Sequence, residues 1–316
     1  MSTGFFSHAD CKRHEMGAAH PESPARLQAI DDQLIASRIV DALEHREAPC
    51  ASKEMLASVH TGEAIARVFE NLPSPSAGSD CYYSLDADTS LNPYSLQAAL
   101  RAAGAAVAAT DAVIAGELAN AFCAIRPPGH HATPNSPMGF CLFNNVAIAA
   151  QRALDVHGLQ RVAIIDFDVH HGNGTQDAFR DDPRVLMTSF YQHPFYPYTA
   201  NTDSRAGLHN MVNIGVPAYT SGPAVRQLVA EKWLPALNAH RPQMIFISAG
   251  FDAHREDDLG LMGLVEADYA WMTAQIMAVA KAHAGGRIVS CLEGGYNLSA
   301  LGRSVVAHLK VLAEID

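Results

Sequence analysis

RVAIIDFDVHHGNG, residues 161–174, begins as an apolar run and turns abruptly polar. Val162, Ala163, Ile164 and Ile165 have the continuous, largely β-branched character of a strand buried on both faces of a parallel sheet. Side chains two apart share one face of an extended strand. Asp166, Asp168 and His170 therefore project together if the strand continues to the turn at Gly172-Asn173-Gly174. Two carboxylates and an imidazole on one face call for a cation, because like charges that close raise one another's pKa and oppose folding. A solvated loop is the alternative for an isolated Asp-x-His. Three polar groups directly after a buried run weigh against it.

The same plan, an apolar run ending in glycine or acids, recurs along the chain. It appears at 121–125 (AFCAI, then RPPGHH), 185–190 (VLMTSF), 211–216 (MVNIGV), 243–252 (QMIFISAGFD) and 287–296 (RIVSCLEGGY). Helical patterns lie between several of these runs, at about 143–157, 222–238 and 264–283, with others at 50–70 and in the alanine-rich stretch from Ser95 to Gly116. Strand-helix alternation predicts an α/β fold, a mainly parallel sheet with helices on both faces. The opening to Glu47 reads as a polar segment and then a helix started at Ser23-Pro24, with Leu27, Ile30, Leu34 and Ile35 on its apolar side and Arg26 on its first turn as a surface or salt-bridged residue. Residues 71–93, punctuated by Pro73, Pro75, Gly78 and Pro93, form a long loop. It carries Asp86 and Asp88 towards a site rim.

The 316 residues are 48% hydrophobic and 17% charged, which describes a globular chain with a large core, expected as one domain over 1–316. No apolar run approaches the roughly 20 residues that span a bilayer, and the N-terminus lacks the positive-then-apolar order of a signal peptide, so no membrane and a cytoplasmic location are expected. A net charge of −11 argues against nucleic acid as a partner. The six cysteines form no C-x-x-C pair and read as reduced packing residues. Nothing sets an oligomeric state, a homo-oligomer included.

Parallel α/β sheets bind ligands beyond the carboxyl ends of their strands, so the strand ends are the functional inventory. Asp168 and His170, joined by Asp252 from the end of another buried run, would make a three-ligand metal site with a position left open, as in catalytic rather than structural zinc. His130 and His131, on a turn at Gly129, could bring imidazoles to that position and move a proton from water to a leaving amine. A catalytic histidine needs a partner to fix its tautomer, and Asp166 and Asn173 are the acceptors at hand. Tyr296, after two glycines, could set its hydroxyl against a developing oxyanion. Together these parts describe metal-assisted amide hydrolysis.

The ordered motifs HPESPARL, RPPGHHA, GFCLFNNVAIAA, DFDVHHGNGTQDAF, SAGFDAH and LEGGY, from His20 to Tyr296, resemble the histone deacetylase family of the arginase-deacetylase superfamily. The NNVA and HHGNGTQ forms are more similar to its class II and bacterial amidohydrolase branch. The resemblance implies a three-layer αβα fold with eight strands. It also implies zinc on Asp168, His170 and Asp252, with His131 as general base and acid, and His130 as an electrostatic partner supported by Asp166. Asn173 stands behind His131 where some relatives have aspartate. Tyr296 matches the catalytic tyrosine. Phe140 and Tyr196 would wall an acyl tunnel, with Gly139, Leu259 and Asp88 beside the substrate, and Arg26 matches an arginine beneath the site. Structural potassium would be held by oxygens of Asp166, Asp168, His170, Ser189 and Phe190. Tyr191 and Asp258 depart from the common histidine and proline and are expected near the rim.

The binuclear ureohydrolases of the superfamily need carboxylates where this chain has Gly172 and His254. A catalytically silent metal-binding module would have lost a ligand, a histidine or Tyr296, and all are present. The expected substrate is an acetyl-lysine peptide or protein, because Leu259 occupies the place where polyamine-selective relatives carry glutamate. An acetylpolyamine or other small acylated amine is the alternative, since Glu256, Asp257 and Asp258 could pair with a cationic amine. An aspartate-rich ligand set is less metal-selective than a thiolate one, so zinc is a default.

Overall fold

The computed structural model describes residues 2–74, 81–199 and 210–315. Val162–Asp166 is strand β6 of a sheet that also contains β1 (Thr3–Ser7), β2 (Leu43–Glu47), β5 (Asn120–Cys123), β7 (Val185–Gln192), β8 (Met211–Val216), β9 (Met244–Ala249) and β10 (Ile288–Leu292). The order is β2-β1-β5-β10-β9-β6-β7-β8, and every neighbouring pair is parallel. The eight-stranded α/β sheet expected above is present, and it is wholly rather than mainly parallel. A two-residue antiparallel hairpin, β3 (Tyr83–Ser84) with β4 (Ser90–Leu91), sits apart from it in the long loop. Pro75 and Gly78 of that loop lie outside the described residues.

Helices cover both faces. Ala163 and Ile165 of β6 point into the cluster that holds Leu27, Ile30 and Leu34 of α1 (Ala25–Ala36), Met272 and Ile276 of α9 (Glu266–His283), and Leu301 and Leu309 of α10 (Leu298–Leu312). Val162 and Ile164 point the other way, against alanines of α4 (Ser95–Ile114) and Val146 and Ala150 of α5 (Asn145–Asp155). Period-2 alternation with apolar residues on both sides makes the run continuous. The helical stretch at 50–70 is two short helices, α2 (Lys53–Ala57) and α3 (Gly62–Phe69); that at 222–238 is α7 (Gly222–Leu228), a π turn and α8 (Leu234–His240).

Several expectations are corrected. The polar opening forms β1, at the centre of whose neighbours β2 and β5 it pairs on both sides. Ile35 is 64% exposed, because the apolar stripe of α1 ends with Leu34. Of the two alternatives for Arg26 the salt-bridged one holds: it is fully buried and paired with Glu22. Cys11, Cys123, Cys141 and Cys291 are buried packing residues, whereas Cys50 is exposed.

Candidate metal centre and active site

β6 stops at Asp166, and the chain bends away from the sheet after it. A shared strand face is therefore not what gathers Asp166, Asp168 and His170. Instead each acid caps the backbone two residues on. Asp166 Oδ1 accepts from the Asp168 N–H at 3.1 Å, and Asp168 Oδ1 from the His170 N–H at 2.8 Å. Such bonds curl the chain into successive turns. Asp252, on the loop after β9, enters from the adjacent strand. Its Oδ1 accepts from the Val169 N–H at 2.8 Å, and its Oδ2 lies 3.2 Å from His170 Nδ1 without hydrogen-bond geometry. Candidate ligand atoms of Asp168, His170 and Asp252 lie within 4.8 Å of one another; among the described residues no other such trio of His, Cys, Asp or Glu occurs.

The trio fits a metal ion. Asp252 Oδ2 is buried and makes no hydrogen bond. Glycines leave the carboxylates room: a Cβ on Gly250 would stand 2.0 Å from Asp168 Oδ2, and one on Gly294 2.0 Å from Asp252 Oδ2. The charges are unbalanced without a cation. Burial and the neighbouring Asp168 push Asp252 up to about 7. Burial opposes a charged His170, yet Asp168 and Asp252 outweigh it and push the imidazole up to about 10. Two carboxylate oxygens and an imidazole nitrogen suit zinc and neighbouring divalent ions, and three protein ligands leave coordination open.

The two histidines of the RPPGHH turn differ in what stands behind them. Glu293, after β10, anchors the turn: its Oε2 accepts from the N–H groups of Gly129 at 2.6 Å and His130 at 3.1 Å. The imidazole centroids lie 4.0 Å apart, and His131 is 5.8 Å from His170. His130 Nδ1 meets Asp166 Oδ2 at 3.0 Å. His131 Nδ1 donates to the amide oxygen of Asn173 at 2.7 Å, which leaves its Nε2 as the basic nitrogen. Burial opposes charge on both rings. At His130 the carboxylates of Asp168, Asp166 and Glu293 outweigh it and push the pKa well up. At His131 burial and the neighbouring His130 and His170 push it well down.

Tyr296 follows Gly295, whose φ of 121° only glycine adopts readily. Burial pushes its phenol far above the usual range, so it stays a donor. The ring packs edge-on to Phe140 at 5.9 Å and lies 5.0 Å from the Arg26 guanidinium. Arg26 donates to the carbonyls of Gly295 (2.6 Å) and Glu293 and pairs with Glu22 at 3.0 Å. Arg126 shares Glu22, so one buried acid serves two buried guanidiniums. Glu22, Arg126 and Glu293 are functional-site neighbours to which sequence reasoning gave no role, although all three lie in the quoted motifs.

These groups face a cavity of about 270 Å³. Asp88, Gly139, Phe140, Tyr196 and Leu259 line it, as do His131, His170 and Tyr296. Phe140, at φ 66°, is held by a bond from its N–H to Thr89 Oγ1 at 3.0 Å. The Tyr196 ring stands perpendicular to His131 at 5.1 Å. A further wall residue, Phe195, stacks on His170 at 5.4 Å. Gly139 is required by proximity, since a Cβ there would meet His131 Cδ2 at 2.6 Å. Asp86 instead closes the turn by accepting from Asp88 and Thr89.

Asp166, the last residue of β6, is the register partner of Ser189 within β7. The Ser189 hydroxyl donates to Asn213 at 2.8 Å, and the Phe190 ring stacks on Trp233, so Phe190 has only its backbone oxygen to offer an ion. Tyr191 is not a rim residue: it is buried at the end of β7 against His171, 4.7 Å away. Asp258 does line the cavity. Gly172 and His254 offer no bridging carboxylate, and a Cβ on Gly172 would stand 2.3 Å from Asp166 Oδ2.

The family model described as the histone deacetylase domain matches residues 20–312. A histone deacetylase-like amidohydrolase of Pseudomonas aeruginosa is 41% identical over 286 residues, 89% of this chain and 73% of that protein. A probable deacetylase of Archaeoglobus fulgidus is 38% identical over 303 residues, 94% of this chain and 82% of the relative. The crystal structure of the HDA15 HD domain aligns with a TM-score of 0.90 at 35% identity, over 99% of this chain and 88% of that one.

Proposed function

The chain belongs to the histone deacetylase family, and from that membership we propose that it is a zinc-dependent deacetylase, one catalytic domain over 1–316, acting on acetyl-lysine type substrates. The observation that carries the reading is the unequal pair of histidines beside the Asp168, His170 and Asp252 trio: an acid behind one, an amide behind the other. Asp168, His170 and Asp252 would hold the zinc ion. When bound, zinc polarises an amide carbonyl and acidifies water.

The remaining work falls to this chain's own side chains. His131, neutral with a basic Nε2, takes a proton from the attacking water and returns it to the leaving amine. His130, whose Nδ1 faces the Asp166 carboxylate, is the electrostatic partner, favouring negative charge as it grows. The Tyr296 hydroxyl donates to the carbonyl oxygen as it becomes anionic. Phe140 and Tyr196 flank the acylated chain, Leu259 gives the mouth an apolar edge, and Asp88 with Gly139 lies beside them. Asp166, Asp168, His170, Ser189 and Phe190 are our candidates for structural potassium. None of the described helices is long and apolar enough to cross a membrane, and a cytoplasmic location is our reading.

One observation favours an acetylpolyamine as second reading. Of the three acids after Asp252, Glu256 pairs with Arg303 and Asp257 is buried, but Asp258 lines the cavity and could meet a cationic amine. The test is acetate release by the zinc-loaded enzyme from an acetyl-lysine peptide and from N-acetylputrescine, compared as kcat/KM. A peptide preference of about tenfold, roughly 1.4 kcal/mol, supports the first reading. The reverse preference supports the second, and no release from either overturns both.

A further inference from the structure

Asp257 lies five residues beyond the candidate ligand Asp252 and is 5% exposed. Among the described residues no cationic side chain pairs with it; its oxygens go to backbone amides. Oδ2 accepts from the N–H groups of Tyr296 at 2.6 Å and Asn297 at 2.9 Å. Oδ1 accepts from the Leu259 N–H at 3.0 Å. The Asp257 N–H in turn donates to the His254 carbonyl at 2.9 Å, which keeps the span from Asp252 compact. One side chain thus ties the loop after β9, which carries Asp252 and the rim residue Leu259, to the loop after β10, which carries Tyr296.

The tyrosine loop is otherwise anchored before Tyr296, on Glu293 and Gly295 through Arg26 and on Gly294 through Asp168 (2.9 Å) and the Phe251 N–H, and after it by the Asn297 side-chain amide, which donates to the Glu256 carbonyl at 2.9 Å. The Tyr296 backbone itself is held by Asp257. A donor to a developing charge must stand within about 0.5 Å of its place, and a misplacement of about 1 Å costs roughly 10²-fold. The tyrosine hydroxyl lies at the far end of a long side chain, so a small rotation of the backbone is magnified at the oxygen. The bond at Tyr296 N–H is where such a rotation would begin.

We propose that Asp257 is a positioning residue for Tyr296, registering the tyrosine loop against the metal-ligand loop and so setting where the hydroxyl stands. The inference rests on the reading of Tyr296 as the donor to the carbonyl. The test compares Asp257→Asn, Tyr296→Phe and the double variant, with zinc content measured on each. Asp257→Asn is expected to lower kcat at least tenfold with zinc content unchanged, and to lower it less than twofold in the Tyr296→Phe background. Equal losses in both backgrounds overturn the proposal. The second readout is fluorine NMR of protein labelled with 3-fluorotyrosine, in which the Tyr296 resonance is identified by its loss in Tyr296→Phe. That resonance is expected to shift or broaden in Asp257→Asn, and an unchanged signal overturns the proposal. Should Tyr296→Phe keep full kcat, the reading of Tyr296 fails by itself, and the fluorine signal still decides whether Asp257 positions the ring. If Asp257→Asn does not fold, Asp257→Glu, which keeps the carboxylate but displaces it by a methylene, takes its place with the same readouts.

Discussion

Gly294→Ala tests the proposed metal trio without removing any of its atoms. A Cβ at this position would stand 2.0 Å from Asp252 Oδ2 and 2.5 Å from Asp168 Oδ2, where real contacts under 3.0 Å do not occur. The carboxylates must therefore withdraw by at least 1.0 Å and 0.5 Å, or the backbone must yield. Gly294 is not at positive φ, so alanine adds no left-handed strain of its own. Metal-ligand distances tolerate only about 0.2 Å, so Asp252 is lost as a well-placed ligand. Changes that merely disturb ligand orientation already cost 10–100-fold in affinity; the expected loss here is at least 100-fold, about 2.7 kcal/mol. Overpacking adds a cost in folding of about 1–3 kcal/mol. The assay is zinc titration of metal-free protein against a competing chelator, alongside urea unfolding. Gly263→Ala is the control, since its nearest neighbour would be 3.4 Å away, an ordinary contact. A Gly294→Ala protein that folds and binds zinc with unchanged affinity would refute the assignment of Asp168 and Asp252 as ligands.

Tyr296→Phe should lower kcat by about 10²–10³-fold, the usual cost of one oxyanion donor, with KM for an acetyl-lysine peptide little changed; a loss under threefold contradicts the role. Asn173→Asp places a charge behind His131 Nδ1 and favours the imidazolium, so the acid limb of the kcat/KM profile should move to higher pH by about one unit or more. A limb that stays put means that His131 is not the base. Arg126 and Arg26 outweigh burial and hold Glu22 down at about 2. Glu22→Gln leaves two buried guanidiniums without their acid and should cost about 3–5 kcal/mol in urea unfolding, a loss under about 1 kcal/mol being incompatible with the network. Burial pushes His308 down to about 3, with its nitrogens on Thr273 (2.7 Å) and Ser290 (3.0 Å). The unfolded chain takes up this proton first, so its stability contribution is complete above about pH 6.5 and fades towards pH 3. Between pH 7 and 5 the wild type should lose about 2 kcal/mol more than His308→Gln, and a pH-independent difference would sink the argument.

Much of the site was legible because its residues follow apolar runs directly. Asp166, Asp168, His170 and Asp252 sit at the ends of β6 and β9, whose residues are all buried, and such runs announce themselves by composition. What periodicity got wrong was the means: the side chains converge through bonds from each acid to the backbone two residues on, after the strand has ended. The outer strands were harder to read. β2, LEHRE, is an edge strand with alternate residues exposed, and its charges mask it. α6 (Asn173–Phe179) is buried yet polar, because Asn173 and Gln176 spend their amides inside the site. The stripe Leu301, Val305, Leu309 and Leu312 does mark α10 in the sequence, beyond the strand ends on which the expectation was built. Burial of Arg26 was not legible, since its acceptors lie 267 and 269 residues away.

That burial explains why a motif near the N-terminus belongs to a site made at strand ends. Arg26 grips the carbonyls of Glu293 and Gly295, on either side of Gly294. Gly294 is the residue whose missing side chain leaves room for Asp252 and Asp168 and whose N–H binds Asp168. The guanidinium thus holds the tyrosine loop from below, as Asp257 holds it from the side. Glu22 pairs with the guanidinium there, and Glu22 in turn is fixed by Arg126 from the turn that carries His130 and His131. Lysine could not substitute at Arg26, because a single ammonium cannot span two carbonyls and a carboxylate with the planar fork that three fixed acceptors demand. The spacing HPESPAR therefore encodes an i, i+4 pair, Glu22 with Arg26, whose two ends reach the histidine turn and the tyrosine loop at once.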